Sequence, residues 1–337
     1  MTRICLIPKV HGVGGMVSFQ AKLTAGLKER GIQVCDDLGE TPYAAVLITG
    51  GTRNLAGVWR ARHRGIRIVQ RLDGINWLHR RQHTGWRHAL RAESANWLLT
   101  FLRSRLATRL VYQSEFVRSW WQDWFGPGRV SATVIHNGVD LAVYTPEGPE
   151  KPAPESCRVL VVEGSLGGVY DQGLATAVQL AELLGLGTFS IELMVVGRVT
   201  PAQQDTFRSH SRVPILWAGL QPPERIPALD RSAHLLYSAD LNAACPNSVI
   251  EAMACGLPVV AFQTGALPEM VKGGAGRLVP YGGDPWKLEP PDLSALAEAG
   301  AQVLSDQPSY RKAARRRAEE AFDLEHMVDQ YLHVLLE

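Results

Sequence analysis

PNSVIEAMACGLPVVAF, running from Pro246 to Phe262, decides how the second half of this chain folds. Pro246 suits the first position of a helix, where a missing N–H costs nothing. Gly256 stands where a helix ends in a left-handed residue, and Pro258 bars continuation. LPVVAF is then a short apolar run of the buried-strand kind. Within the helix, Asn247, Ser248 and Glu251 stand four and three residues apart and share one face. A carboxylate beside an amide and a hydroxyl can grip a polyol such as ribose. The first turn, including the Val249 amide, offers N–H groups and partial positive charge to a phosphate. The plainer reading makes Glu251 a surface residue that complements the helix dipole.

The helix-then-strand pattern repeats outward from this stretch. RICLI, IQVC, AAVLIT, IRIV, RLVY and ATVI read as strands in the first half. RVLVVE, SIELMVV, PILW, HLLY, LPVVAF and GRLVP do so in the second. Helical patterns separate them, notably Val17 to Arg30 and Trp86 to Ala107. Such alternation predicts an α/β protein with parallel sheets covered by helices on both faces. PEGPEKPAPES, residues 146–156, reads as a linker. The expected organisation is therefore two doubly wound, Rossmann-like domains, 1–145 and 157–320, facing a cleft. Residues 321–337 form a terminal helix. Open parallel sheets bind ligands outside the carboxyl ends of their strands. That rule draws attention to Asp73, which follows the strand IRIVQ, and to its polar neighbours Arg71 and Asn76. A D-G turn explains Asp73 equally well. HGVGGM, 11–16, offers a weak partial match to a dinucleotide fingerprint, with Val17 at the third glycine position. His136 and Asn137 read as hinge residues and Asp140 as a turn cap.

At 337 residues, with 46% apolar and 20% charged residues, the composition is that of an ordinary globular enzyme. The first strand begins almost at once and no long apolar window exists, so neither a secretory leader nor a membrane span is expected. Five cysteines without C-x-x-C spacing suit buried thiols of a cytoplasmic protein. The formal charge of +2 hides an asymmetry. Residues 1–150 carry 20 Lys and Arg against 11 Asp and Glu, while 151–337 carry 15 against 22. Between Arg53 and Arg129 there are 15 Arg, four acids and seven of the nine tryptophans. Three readings stand: a membrane-surface face beside anionic lipid, a nucleic-acid patch, or a solvated helical face. No nucleic-acid-binding motif supports the second. The best candidate for the first is Trp86 to Arg109.

The 246–262 stretch, continued by TGALPEMV with Gly265 and Glu269, resembles the nucleotide-sugar motif of retaining glycosyltransferases of family 4. VIHNGVDLAVYTP, 134–146, and the Gly14-Gly15 pair after the first strand are similar to that family too. The resemblance implies the GT-B architecture, a terminal helix returning to the first domain, a nucleotide-diphosphate-sugar donor, and no metal or other cofactor. It assigns Glu251 to the donor ribose, Gly14 and Gly15 to closing the site, and Gly219 in WAGL to the base pocket. Asp73 stands where relatives place a polar residue, often His, near the reacting sugar. It and Glu251 are the candidate catalytic residues. Two departures matter. Ala243 replaces the first Glu of the family's E-x7-E pattern, and VVEGSLGGVYDQG lacks the Arg and Lys that neutralise the diphosphate. Candidates to compensate are Arg198, Arg71 across the cleft, helix N-termini, and a Gly-rich loop beginning at Gly164. The implied activity is retaining, metal-independent sugar transfer to a glycan or lipid-linked hydroxyl in cell-surface glycan or glycolipid biosynthesis. It would take place in the cytoplasm or at the inner membrane face. The alternatives are a catalytically degenerate nucleotide-sugar-binding partner protein and a nucleotide-sugar epimerase of the same fold.

Overall fold

The computed structural model describes residues 2–12, 14–81, 85–166 and 171–337. Two compact units make up the chain: residues 1–138 with 324–337, and residues 139–323. The switch between units falls within HNGVD and again before the last helix. The Pro-rich stretch 146–156, expected as the linker, lies inside the second unit.

The first unit holds six parallel strands: Arg3–Ile7 (β1), Gln33–Cys35 (β2), Ala45–Thr49 (β3), Arg67–Leu72 (β4), Arg109–Tyr112 (β5) and Ala132–Val134 (β6). Their spatial order is β2-β1-β3-β4-β5-β6. The connecting helices are Gly15–Glu29 (α1), Leu55–His63 (α2), Trp86–Phe101 (α3) and Glu115–Phe125 (α4). The helix expected from Trp86 to Ala107 changes to a π turn at Leu102–Leu106 before reaching β5.

In the second unit the strands are Cys157–Ser165 (β7), Ile191–Arg198 (β8), Ile215–Gly219 (β9), Leu235–Tyr237 (β10), Val259–Phe262 (β11) and Gly276–Val279 (β12). They are also parallel, in the order β12-β11-β10-β7-β8-β9. The helices here are Asp171–Gly185 (α5), Pro201–His210 (α6), Ile226–Ser232 (α7), Asn247–Ala254 (α8), Leu267–Met270 (α9), Leu293–Ser305 (α10) and Gln307–Ala321 (α11). A last helix, Leu324–Leu336 (α12), belongs to the first unit. All twelve strands read from the sequence are present; β3 and β11 are apolar runs buried along their whole length, while β2, β6, β9 and β12 keep exposed or half-buried positions.

The quoted stretch behaves as expected at its end and differs at its start. Pro246 is the residue preceding α8 rather than its first turn, at φ −68° and ψ 120°. At the other end Gly256 has φ +70°. Its N–H reaches the carbonyl of Met253 at 2.9 Å, and that of Leu257 reaches Ala252 at 2.8 Å. This pair of bonds is a Schellman closure, which needs a residue at ease in the left-handed region. Arg315 of α11 then takes up the carbonyl of Ala254 at 2.8 Å, together with those of Tyr144 at 2.7 Å and Leu141 at 3.2 Å.

The core of the first unit depends on α12. Val328, Tyr331 and Leu335 are fully or almost fully buried against Phe19, Leu23 and Leu27 of α1 and Leu47 and Val69 of the sheet. The Phe19 and Tyr331 rings lie 5.1 Å apart. A Cβ at Gly26 would stand 2.6 Å from Val328 Cγ2, so the helices approach too closely for any side chain there. Without α12 this face of the sheet meets water. Tyr331→Ala should destabilise the first unit by about 3 kcal/mol or more, as for other large core truncations. Denaturant unfolding followed at probes in each unit checks this. An unchanged first transition would show that α12 is only loosely attached.

Candidate functional site

In the second unit, parallel pairing brings the carboxyl ends of β7, β8, β10 and β11 to one edge, and α8 starts there. No side chain caps α8, and its first turn carries no acid. The first helical bond is that of Ile250 N–H to the Pro246 carbonyl, at 3.4 Å. Asn247 and Ser248, half-buried, occupy this first turn, and Glu251, also half-buried, follows one turn later. Val249, expected to offer its amide, is completely buried, backbone included. The sequence-predicted amide, hydroxyl and carboxylate are thus brought together on one short helix.

Two groups around Glu251 escaped the sequence reading. Asp230 of α7 is fully buried, with the Cys255 thiol as its nearby polar neighbour. Burial first, and the negative charge of Glu251 second, hold it well above the ordinary carboxylate range. Tyr144 is buried as well, and burial followed by the Glu251 charge raises its phenol. Asp230 therefore holds its proton more readily than an ordinary carboxyl. Nothing in the local pattern of IPALDRS singles it out, because its burial comes from packing on α8.

A carboxylate pair stands at the same edge. Glu163 lies near the end of β7 at a shift in register with β8, and Asp240 follows β10, the neighbouring strand. Burial, and secondarily the charge of Asp240, pushes the Glu163 carboxyl up to about 8. Burial raises Asp240 too. At neutral pH the two hold a proton between them, as close like charges in a poorly solvated place must. Ala243, at the position of the absent Glu, is buried, and its carbonyl accepts the Ala266 N–H at 2.8 Å. Nearby, Ser238 Oγ and Asn242 Nδ2 are buried without hydrogen-bond partners, and Asn242 sits at φ +59°. Gly164 is exposed on the bulged end of β7, and Arg198 is exposed at the end of β8. Gly219 ends β9 at φ +65° with open space around it. The expected Gly-rich loop continues into residues 167 and 168, outside the described residues.

The first unit holds the other predicted residues at the start of α1 and the end of β4. Gly14 precedes α1, and Gly15 begins it. Asp73 is half-buried. Burial raises its carboxyl, and Arg71 opposes the shift in part. Trp121 Nε1–H donates to the Asp73 carbonyl at 2.8 Å. Arg71, expected on the acceptor side, is instead 1% exposed. Its Nη2 donates to Asn137 Oδ1 at 2.7 Å, and its guanidinium lies 3.8 Å from the Phe19 ring centre. A cation held this way braces the sheet edge from inside. Asn76 is exposed, yet its N–H and Nδ2 both donate to Asn96 Oδ1 at 3.1 Å. Asn96 Nδ2 in turn donates to the Asn76 carbonyl at 2.9 Å. This exchange fixes the loop after β4 to α3. Among the described residues, no group of three or more His, Cys, Asp or Glu is placed to hold a metal.

Residues 158–306 match the family described as Glycosyl transferases group 1. The chain is 27% identical over 282 residues to a glycogen synthase of Mycobacterium tuberculosis, covering 79% of this chain and 64% of that protein. It thus spans somewhat less than two thirds of that relative. Among solved structures, sucrose-phosphate synthase from Thermosynechococcus elongatus superposes with a TM-score of 0.74 at 17% identity. The match covers 99% of this chain and 98% of that one. Anabaena HepE in complex with UDP-glucose gives a TM-score of 0.67 at 17% identity, covering 99% of each chain. The two six-stranded parallel sheets are those of the GT-B glycosyltransferase fold.

Folding raises the Glu163, Asp240 and Asp230 carboxyls, so the folded chain keeps protons that the unfolded chain has released. Their contribution to stability is therefore greatest at low pH. It is lost as pH rises from the ordinary carboxylate range through about 8. Glu163→Gln should flatten that slope and raise Tm by more at pH 8 than at pH 5. The expected rise is a few degrees, since roughly 2–4 °C corresponds to 1 kcal/mol at this size. Parallel Tm profiles for variant and parent would mean that the pair is ordinarily ionised.

Proposed function

We propose that this chain is a retaining glycosyltransferase that moves a sugar from a nucleotide-diphosphate donor to a hydroxyl. The observation that carries the reading is α8: an uncapped helix start at the carboxyl edge of a parallel sheet, with Asn247, Ser248 and Glu251 on it. The family match over 158–306 and the likeness in fold to HepE with UDP-glucose support it. Glu251 accepts hydrogen bonds from the ribose hydroxyls. Asn247, Ser248 and the first-turn amides meet the phosphate or the sugar. Gly219 lines the base pocket, while Gly164, Arg198 and the Gly14-Gly15 turn serve the donor.

The acceptor oxygen forms a bond to the anomeric carbon while the bond from that carbon to the diphosphate breaks. The departing diphosphate oxygen takes the acceptor proton, so no protein nucleophile is required. Positioning and stabilisation of the leaving charge supply the catalysis. Asp73 orients the sugar or the acceptor hydroxyl. No metal takes part, and the acceptor is a glycan or lipid-linked hydroxyl of cell-surface biosynthesis.

A second reading has its own support. The Glu163–Asp240 pair puts acid where the family resemblance expects cations, which would suit a nucleotide-sugar-binding protein without turnover. Release of free nucleotide from a panel of UDP-, GDP-, dTDP- and ADP-sugars separates the two. Turnover supports the transferase, and a donor-dependent Tm rise without release supports the binder.

Glu251→Ala should weaken donor binding by about 1.5–3 kcal/mol, the range for a hydrogen bond to a charged group, with the fold intact. Calorimetry on the folded variant checks this, and unchanged affinity removes Glu251 from the ribose. Asp73→Asn should lower turnover far more than donor affinity. A variant that turns over like the parent returns Asp73 to the role of turn residue.

A further inference from the structure

The Arg/Trp-rich tract of the first unit is divided by the fold. Trp77, Trp120 and Trp121 are buried, and Trp124 is half-buried. These four belong to the packing of the unit. Trp86, Leu90 and Trp97 are different: they are 69%, 62% and 64% exposed. All three lie on α3 at spacings of four and seven residues, which places them along one stripe. The buried residues of α3 are Ala92, Asn96 and Leu99, on another side of the helix. Trp97 stacks on Phe101, with ring centres 5.5 Å apart, and extends the stripe toward the helix end. So α3 has one face that holds it to its unit and a second apolar face turned to solvent.

One acid lies on that stripe, Glu93, three residues after Leu90 and four before Trp97, and the charge flanking the stripe is cationic. Arg87 and Arg91 are exposed on α3 and make no ion pair among the described residues. The Arg87 guanidinium lies 5.3 Å from the Trp86 ring centre. The one acid of α3, Glu93, is already neutralised. It accepts from Arg80 Nε at 2.6 Å and Nη2 at 2.9 Å, and meets His79 Nε2 at 2.8 Å. Arg81 adds a further exposed cation at the end of the preceding turn. Large rings flanked by guanidinium groups fit the boundary between lipid headgroups and acyl chains, where a ring is apolar on one side and wet on the other. A bilayer with anionic headgroups supplies both the apolar depth and the opposite charge. A helix of 16 residues with its far side packed on the protein can lie in such a boundary and cannot span it.

We propose that the Trp86–Leu90–Trp97 stripe of α3, with Arg87 and Arg91 beside it, is a docking surface for an anionic lipid bilayer. Both the apolar and the cationic parts are required: the arginines concentrate the protein at the surface and the rings insert. The test uses the full chain with vesicles of phosphatidylcholine alone or mixed with phosphatidylglycerol, sedimented at low and high salt. No donor or acceptor is present, so the result does not depend on the transfer reaction. Binding to the mixed vesicles should exceed binding to the neutral ones by about tenfold or more and weaken with salt. It should be accompanied by a blue shift of tryptophan emission.

The triple change Trp86→Ser, Leu90→Ser and Trp97→Ser should abolish the blue shift and lower binding by roughly tenfold or more, with Tm changed little because the three side chains are mostly exposed. Arg87→Glu with Arg91→Glu should lower binding to the mixed vesicles by a similar factor. The proposal is overturned if parent and triple variant bind alike, or if neither vesicle binds. It is overturned too if the parent self-associates in sedimentation velocity and the triple variant does not, which would make the stripe a contact between copies of the chain.

Discussion

Parallel strand pairing is the constraint on which everything else in this protein rests. A parallel neighbour cannot be reached by a tight turn, so the chain must cross over, and the crossovers within each sheet carry helices except the one from β2 to β3. Repeating that step delivers the carboxyl end of every strand to the same edge of its sheet. The pairing β10-β7-β8 is what sets Asp240, Glu163 and Arg198 at one edge, although 77 positions separate the first from the second in sequence. The start of α8 joins them there because it follows β10. The backbone assembles the candidate site before any side chain contributes.

Electrostatics at this edge is unusual for a place that offers a helix start to a phosphate. Burial raises Asp230, and the Glu163–Asp240 pair shares a proton, so part of the formal negative charge is absent at neutral pH. The surplus of acids in the second half of the sequence therefore overstates the field that an anionic ligand meets. A protonated carboxyl can donate a hydrogen bond where an ionised one would repel. Proton uptake on binding an anion is the expected consequence. The first unit handles charge in the opposite way. Arg71 remains a cation inside the fold, held by one hydrogen bond and the face of Phe19, and so stabilises the end of β4 rather than reaching out from it.

Composition alone could not divide the tryptophans. The same tract supplies rings that fill the space under β4 and β5 and rings that face water on α3. The division depends on which side of each helix meets its sheet. Trp121 is fixed by burial and by its bond to the Asp73 carbonyl, so it links the packing of α4 to the position of the Asp73 loop. Trp86 is mostly in water, and Trp97 meets the core only through its stack on Phe101. A fold that leaves two indole rings and a leucine in water on a single helix, next to unpaired guanidinium groups, carries a cost that solvation alone does not offset.

By itself the sequence determined both sheets. Runs such as AAVLIT and LPVVAF are too uniformly apolar to be anything but doubly covered strands, and glycine and proline punctuate them. It determined α8 as well, because Gly256 and Pro258 end a helix by local backbone chemistry and the spacing of Asn247 to Glu251 fixes their common face. Tertiary structure alone decided the rest. The passage between units falls at Gly138 and not in PEGPEKPAPES, since proline and glycine mark where a chain cannot be regular but not which core it packs on. Pro246 precedes α8 instead of opening it. Arg71 is internal although arginine is ordinarily a surface residue, because Phe19 and Asn137 come from distant segments to meet it. The Asp230 and Glu163 carboxyls are raised because folding buries them, with a neighbouring carboxylate adding to the shift. Burial is a property of the whole packed arrangement, and no window of sequence contains it.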